Sequence, residues 1–256
     1  MTGEPNTESR AATKAAVLKL GGSVITDKSN PETLDTETLD RAADAVAAFE
    51  GELVVVHGGG SFGHHHASEH GITTTAGSHD ATGARAVHDA MRRLNDAVLD
   101  ALRECGVPAL PLHPLSAATR DDSGELSLAT DVVARMLGEG FVPVVQADVV
   151  THVGRGVTIL SGDELVVVLA RALDADRVGV CSGVPGVFDT DGAVIDRIDS
   201  FEDVRAALGG SDATDVTGGM SAKVEALLGL DAPAWVFGLD DLPRFLDGES
   251  AGTRIG

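Results

Sequence analysis

The sequence predicts an α/β protein, a three-layer sandwich around a mainly parallel central sheet. Strand-length apolar runs ("AAVLKL", "ELVVVH", "DRVGVC") alternate with segments of helical period along the whole chain. Within these runs the apolar residues are consecutive, as in strands buried on both faces. Strand–helix–strand order implies right-handed parallel crossovers, and helices then cover both sheet faces. At 256 residues and 43% apolar content, the chain can bury a substantial core. No repeat or low-complexity linker divides it, so one domain is expected over 15–256, after a polar tail over 1–14.

The elements follow in order. "AAVLKLGGSVIT" is a strand closed by a glycine pair. "DTETLDRAADAVAAFEG" has an acidic first turn, apolar residues at Leu39, Ala42, Val46 and Phe49, and a stop at Gly51, which makes it a helix. "ELVVVH" is the second strand. Asp80 to Cys105 reads as a long helix, with Val87, Met91, Leu94, Val98 and Leu102 at steps of three and four. "VPALPLHP" is extended, "LATDVVARMLGEG" a helix, "FVPVVQADVV" one strand and "THVGRGVTIL" a hairpin. "SGDELVVVLARALDA" opens on a capping Ser or Asp. "DRVGVCSGVPGVFDTDG" is strand then loop, "SFEDVRAALGG" a short helix, "DVTGGMSAKVEALLGL" a glycine turn entering a helix, and "APAWVFGL" the final strand.

Charge narrows the function classes. Forty Asp plus Glu face 19 Lys plus Arg, a net charge of −21. Such a surface repels nucleic acid and anionic membranes, so neither is expected as a partner. It resembles the acidic surfaces of proteins from a high-salt cytoplasm. No run of about 18 apolar residues exists to span a membrane, and the first residues lack the apolar stretch of a signal peptide. Cys105 and Cys181 have no metal or redox spacing and read as a buried, reduced pair, so a cytoplasmic location is expected. Only four of the basic residues are lysines: Lys14 in the tail, and Lys19, Lys28 and Lys223 in or beside glycine-rich turns.

Those turns carry the chemistry. Gly58 to Gly63 formally matches G-x-G-x-x-G, but it follows the second strand, and no strand with a terminal acid lies before Asp80; a dinucleotide fold is thereby disfavoured. The P-loop pattern is absent. Four turns remain, "KLGGS", "HGGGSFGH", "SGDE" and "DVTGGMSAK", carrying Lys19, His64, Asp163 and Lys223. Glycines let backbone N–H groups approach an anion, and helix N-termini favour negative charge. Phosphoryl transfer needs two phosphate-bearing partners held in line, with positive charge where the group passes.

In this order "LKLGGSVITDK", "VVVHGGGSFGH", "LSGDELV" and "DVTGGMSAK" resemble the amino acid kinase superfamily, specifically its isopentenyl phosphate kinase branch, over about Ala15 to Ile255. The histidine closing "GGGSFGH" is the most specific element, since amino acid, carbamate and nucleotide monophosphate kinases generally lack it. The resemblance implies an amino acid kinase-like fold, a homodimer, ATP as co-substrate with Mg²⁺, and isopentenyl phosphate as acceptor in isoprenoid biosynthesis. It also implies that residues 15–153 bind the acceptor and 154–256 the nucleotide. By position, Lys19, Gly21, Gly22 and Ser23 would face the ATP phosphates, and Lys28 would reach the transferred group. Gly59, His64 and Gly162 would bind the acceptor phosphate, with Gly60 toward the nucleotide. Asp163 would orient the lysines, and Gly219 and Lys223 would bind nucleotide phosphates. The acceptor's hydrocarbon would lie against the long helix. One departure is Ser182-Gly183-Val184, where the family often has an Asp; Gly183 supplies no carboxylate to the nucleoside, leaving base preference open. A fosfomycin-type kinase or a non-catalytic ATP-binding regulator are the alternative readings.

The other histidines read as structural. His57 ends a strand and is expected to be hydrogen-bonded inside the fold. His79 and His88, around the long helix start, are expected at the surface, with lining of the acceptor pocket as the other reading; His65 and His66 are expected at the surface too, and no nearby Cys or spaced carboxylate completes a zinc site there. The Val87, Met91, Leu94 stripe is expected to be core.

Overall fold

The computed structural model describes residues 15–208 and 219–256. The expected tail (1–14) and residues 215–218 of the last glycine turn lie outside them. The chain opens with β1 (Ala16–Leu20), α1 (Gly22–Ile25), α2 (Thr36–Ala47), β2 (Leu53–His57), α3 (Gly60–Glu69), α4 (Ala81–Glu104) and β3 (Ala109–Leu112). Then come α5 (Pro114–Ala117), β4 (Ala118–Arg120), β5 (Leu126–Leu128), α6 (Thr130–Gly138), β6 (Val142–Gln146), β7 (Asp148–His152) and β8 (Gly156–Leu160). The remainder holds α7 (Gly162–Ala172), β9 (Arg177–Ser182), β10 (Arg197–Ile198), α8 (Arg205–Leu208), α9 (Gly219–Leu228), β11 (Ala234–Gly238), α10 (Leu242–Leu246) and β12 (Thr253–Ile255).

The main sheet has eight strands in the order β10-β12-β11-β9-β1-β2-β6-β3. The six from β11 to β3 are parallel, and β12 pairs antiparallel with β11. Successive residues of β1 face opposite layers. Ala16, Leu18 and Leu20 enter a core shared with α2, α3, α4 and α10. Val17 enters the other core, with α6, α7 and α9. Leu18 and Leu20 are fully buried, a contribution of about 1.5–3 kcal/mol each. The predicted three layers are therefore present.

Several sequence expectations need correction. "FVPVVQADVV" is two strands, because the chain leaves the main sheet after Gln146 and β7 joins a second, four-stranded sheet, β5-β4-β7-β8. The antiparallel β7–β8 pair within it extends the hairpin expected near Gly154. "APAWVFGL" is not the last strand, since β12 returns to pair with it. α2 ends at Ala47, before Gly51, while Leu39, Ala42 and Val46 are buried as expected. The cysteines do not form a buried pair: Cys181 is buried in β9 and Cys105 is half-buried at the end of α4, both as free thiols.

β1 is the topological switch point. From it the chain builds β2 to one side and β9 to the other. Ligands of open α/β sheets bind beyond the carboxyl ends of strands at such a point. Register places Leu20 opposite both His57 and Cys181, so the turns at Gly21, Gly58 and Ser182 emerge side by side. Gly21 N–H donates to Cys181 O (2.9 Å) and Gly58 N–H to Leu20 O (3.1 Å).

The first two turns pack backbone on backbone. A Cβ on Gly22 would overlap Gly60 N and stand 2.5 Å from Gly60 Cα. Gly60 itself has φ +48° and would carry a Cβ into Thr26. Gly22→Ala is expected to cost about 1–3 kcal/mol through overpacking. Gly138→Ala at the open end of α6, where nothing lies within 4 Å, should be neutral or stabilising by about 0.4–1 kcal/mol. Thermal unfolding of both variants checks the contrast.

Candidate active site

Lys19 occupies a row of β1 whose cross-strand neighbours are Val56 and Val180, both buried. It lies on the face of β1 that meets α7, one residue from the strand's end, and only 7% of it is exposed. A lysine there must be paired. Its Nζ lies 2.7 Å from Asp163 Oδ1. Lys223, in the second turn of α9, donates to the same carboxylate, 2.9 Å to Oδ1 and 3.1 Å to Oδ2. Three sequence-distant residues thus meet at one point.

Local sequence fixes the carboxylate. Ser161 caps α7 in a reciprocal capping box: its hydroxyl accepts from Glu164 N–H (3.2 Å), and Glu164 Oε2 accepts from Ser161 N–H (3.0 Å). Arg120 holds the other Glu164 oxygen at 2.7 Å. Gly162 then takes the first helical position against Lys19, where a Cβ would stand 3.0 Å from Lys19 Cε and 3.7 Å from Gly58 Cα. The N-terminus of α7, with its free N–H groups and positive dipole end, is thereby set beside the β2 glycine turn.

Electrostatics in the cluster are strongly perturbed. Burial and the neighbouring Lys223 charge lower the Lys19 ammonium to about 8, against the pull of Asp163. Burial opposes ionisation of Asp163, but the Lys19 and Lys223 charges and hydrogen bonds prevail and hold its carboxyl at about 2. The carboxylate is ionised at any physiological pH, and two ammonium groups share its single negative charge. The surplus cation favours an arriving anion.

The glycine turns surround this cluster. Ser23 follows Gly22, and its hydroxyl lies within 3.4 Å of where a Gly183 Cβ would be, so the loop after β9 covers the β1 turn. Thr26 ties the turns together, donating to Gly22 O (2.7 Å) and accepting from Ser61 N–H (3.0 Å). Gly59 caps α3, whose N-terminus carries Gly60, with His64 exposed one turn along. Met91 Sδ of α4 would stand 3.4 Å from a Gly59 Cβ and 2.7 Å from a Gly63 Cβ. The expected core stripe Val87, Met91, Leu94 is buried, and Met91 sets the seating of α3. Gly219 begins α9 with φ +65°.

Of the predicted site residues, Lys19, Asp163, Lys223 and Gly162 are in one cluster, with Gly21, Gly22, Ser23, Gly59, Gly60 and Gly183 on the turns around it. Lys28 is not drawn into it. It stands exposed two residues after the Thr26–Leu34 bridge and makes no ion pair among the described residues.

Sequence reasoning missed a buried polar chain behind the acceptor-side turn. His57, fully buried as expected of a structural residue, bonds Asn95 Oδ1 through Nε2 (3.0 Å), and burial lowers its pKa. His88 is half-buried instead of exposed. Its Nδ1 lies 2.8 Å from the buried Asp148 Oδ2, and that hydrogen bond raises its pKa. Gln146 donates to the same oxygen (3.0 Å), and its Oε1 lies 3.1 Å from His113 Nδ1. The available signal was an Asp inside the apolar run "VVQADVV".

Three comparisons agree with this geometry. Residues 14–230 match the model of the amino acid kinase family. The chain belongs to that family. It is 64% identical over 241 residues to the isopentenyl phosphate kinase of Haloferax volcanii, covering 93% of this chain and 97% of that protein. It is 32% identical to the isopentenyl phosphate kinase of Methanocaldococcus jannaschii, with the same coverages. A solved structure described as an X-ray structure of isopentenyl phosphate kinase superposes with a TM-score of 0.81 at 30% identity, over 94% of this chain and all of that one. The amino acid kinase fold expected from the motifs is the fold found.

Removing the shared carboxylate strands two buried cations. Asp163→Asn is expected to cost about 3 kcal/mol, read by thermal unfolding. The Lys19 charge, which can attract an anion, is present below about pH 8 and lost above it. kcat/KM for ATP should therefore fall on the alkaline side with an apparent pKa near 8. A profile flat to about pH 9.5 would remove Lys19 from nucleotide contact.

Proposed function

We propose that the chain transfers the γ-phosphoryl group of ATP to isopentenyl phosphate, giving isopentenyl diphosphate and ADP. The observation that carries the reading is the convergence of Lys19 and Lys223 on Asp163 at the switch point, beside the turn whose helix bears His64. The names of the relatives support the acceptor's identity. An oxygen of the acceptor's phosphate attacks the γ-phosphorus as the bond to the β,γ-bridging oxygen breaks, and that electron pair leaves on ADP. The transfer is direct. Cys181, the thiol nearest the turns in sequence, is buried and pushed up to about 12, so it is no nucleophile.

In this reading residues 15–153 hold the acceptor and 154–256 the nucleotide. Lys19, Gly21, Gly22, Ser23, Gly60, Gly183, Gly219 and Lys223 face ATP. Gly59, His64 and Gly162 hold the acceptor's phosphate, and Lys28 reaches the transferred group from its exposed position. Asp163 positions the two lysines. An imidazole suits the acceptor because it donates a hydrogen bond to a phosphate and can become cationic as charge accumulates. Mg²⁺ is a poor fit for a cage of protein ligands here, because both Asp163 oxygens are held by lysines. Bound with the nucleotide, it would supply charge neutralisation for the nucleotide's phosphates. A homodimer, a high-salt cytoplasm and a place in isoprenoid biosynthesis belong to the same reading, resting on the resemblance and the net charge.

A coupled ADP-release assay in high-KCl buffer tests it, comparing isopentenyl phosphate, dimethylallyl phosphate, fosfomycin, carbamate and UMP. Preference for the isoprenoid monophosphates is expected, and preference for another acceptor would replace the substrate. No turnover with any would favour a nucleotide-binding regulator. His64→Ala should raise the acceptor KM at least about tenfold, the loss of one charge-assisted hydrogen bond of about 1.5–3 kcal/mol, and leave the ATP KM nearly unchanged. Unchanged acceptor kinetics would remove His64 from that role.

A further inference from the structure

α3 opens at the phosphate turn, but its second half carries a different set of side chains. His65, His66 and Glu69 each direct a ligand-type atom into one space, all within 4.8 Å of one another. His65 and Glu69 are four residues apart and His66 and Glu69 three, so one helical face gathers them. The spaced carboxylate that a sequence reading found wanting is Glu69. Bonds of about 2.0–2.2 Å to a tetrahedral ion place its ligand atoms about 3.4 Å apart, so modest side-chain rotation closes the set.

A second observation comes from the other side of the His66 ring. His66 Nε2 lies 2.5 Å from Glu32 Oε1, an oxygen also held by Arg93 Nη2 at 2.7 Å. A carboxylate only accepts, so the hydrogen of this contact is on Nε2, and Nδ1 is the ring nitrogen left facing Glu69. Nδ1 is buried and has no hydrogen-bond partner among the described residues, while Glu69 Oε2 stands 3.7 Å away. A buried ring nitrogen without a hydrogen-bond partner is costly. A carboxylate bound to one ring nitrogen while the other faces a cluster of ligand atoms is the arrangement that orients histidines toward metals. Glu32 adopts φ +48°, a conformation rare for a residue with a side chain, and its N–H donates to Ser61 O at 3.3 Å in the first turn of α3.

We propose that His65, His66 and Glu69 form a binding site for a divalent transition metal ion of the zinc class, separate from the phosphate cluster, with Glu32 as the residue that positions His66. Two imidazoles and a carboxylate suit zinc, cobalt or nickel better than magnesium or calcium, and three protein ligands leave a position for water. The site staples α3 to the segment that carries Lys28 and Glu32.

Cobalt(II) titration of the chelator-treated full chain tests this, in high-KCl buffer that screens diffuse binding to the acidic surface. One equivalent per chain is expected, with visible d–d absorption that zinc displaces. His65→Ala/Glu69→Gln should abolish the band, and circular dichroism should show the fold retained, since both side chains are solvent-facing. Glu32→Gln should leave the band in place but weaken binding about 10–100-fold. No band at stoichiometric cobalt, or an equal band in the double variant, would overturn the site.

Discussion

Two ammonium groups within hydrogen-bonding distance of one carboxylate leave a unit of positive charge uncompensated, and the architecture around Asp163 holds that arrangement in place. The cluster is expensive. Lys19 stands where an apolar residue would in a row of valines on a central strand, and burial together with the Lys223 charge lowers its pKa. A fold carries such a feature where binding an anion relieves it. The capping box at Ser161 fixes the carboxylate, α9 delivers the second lysine, and the sheet's switch point opens the space the anion enters.

The glycines have two separate roles around that charge. Gly22, Gly58 and Gly60 are required by contact between backbones, since any side chain would drive the β1 and β2 turns apart. Gly162 keeps the α7 N-terminus close to the Lys19 stem, and Gly63 lets α3 seat on Met91. The same close packing brings backbone N–H groups and helix N-termini to one place, which suits a protein whose surface otherwise repels anions. With a net charge of −21, long-range attraction cannot recruit ATP, so capture depends on short-range contacts that survive screening by salt.

Much of the centre was legible because its signals are local. Glycine turns after apolar strands, a lysine inside an apolar run and a Ser-x-x-Glu cap each declare themselves within a few residues. The four turns foretold Lys19, Asp163 and Lys223, although only the fold shows that all three meet. What escaped was non-local. The break at Ala147 separates strands of two sheets without a Gly or Pro to mark it, and β4 and β5, three residues each, are too short to show a period. His88 sat among polar neighbours at a helix start, and only its partner 60 residues away shows that it is half-buried and paired. Lys28 was placed by motif alone, and its exposed position follows from the loop geometry between Thr26 and Leu34.

Entry of phosphate between Lys19 and Lys223 is the central proposal, and the scarcity of lysine makes it observable. The chain has four lysines, so a lysine-labelled sample gives four side-chain signals by heteronuclear NMR. The measurement is their pH titration with and without a non-hydrolysable ATP analogue and Mg²⁺. Lys19 is expected to titrate near 8 in the free protein and to move upward when the analogue binds, with the Lys223 signal shifting in the same titration. A Lys19 signal that titrates normally, or that ignores the bound nucleotide, would contradict it.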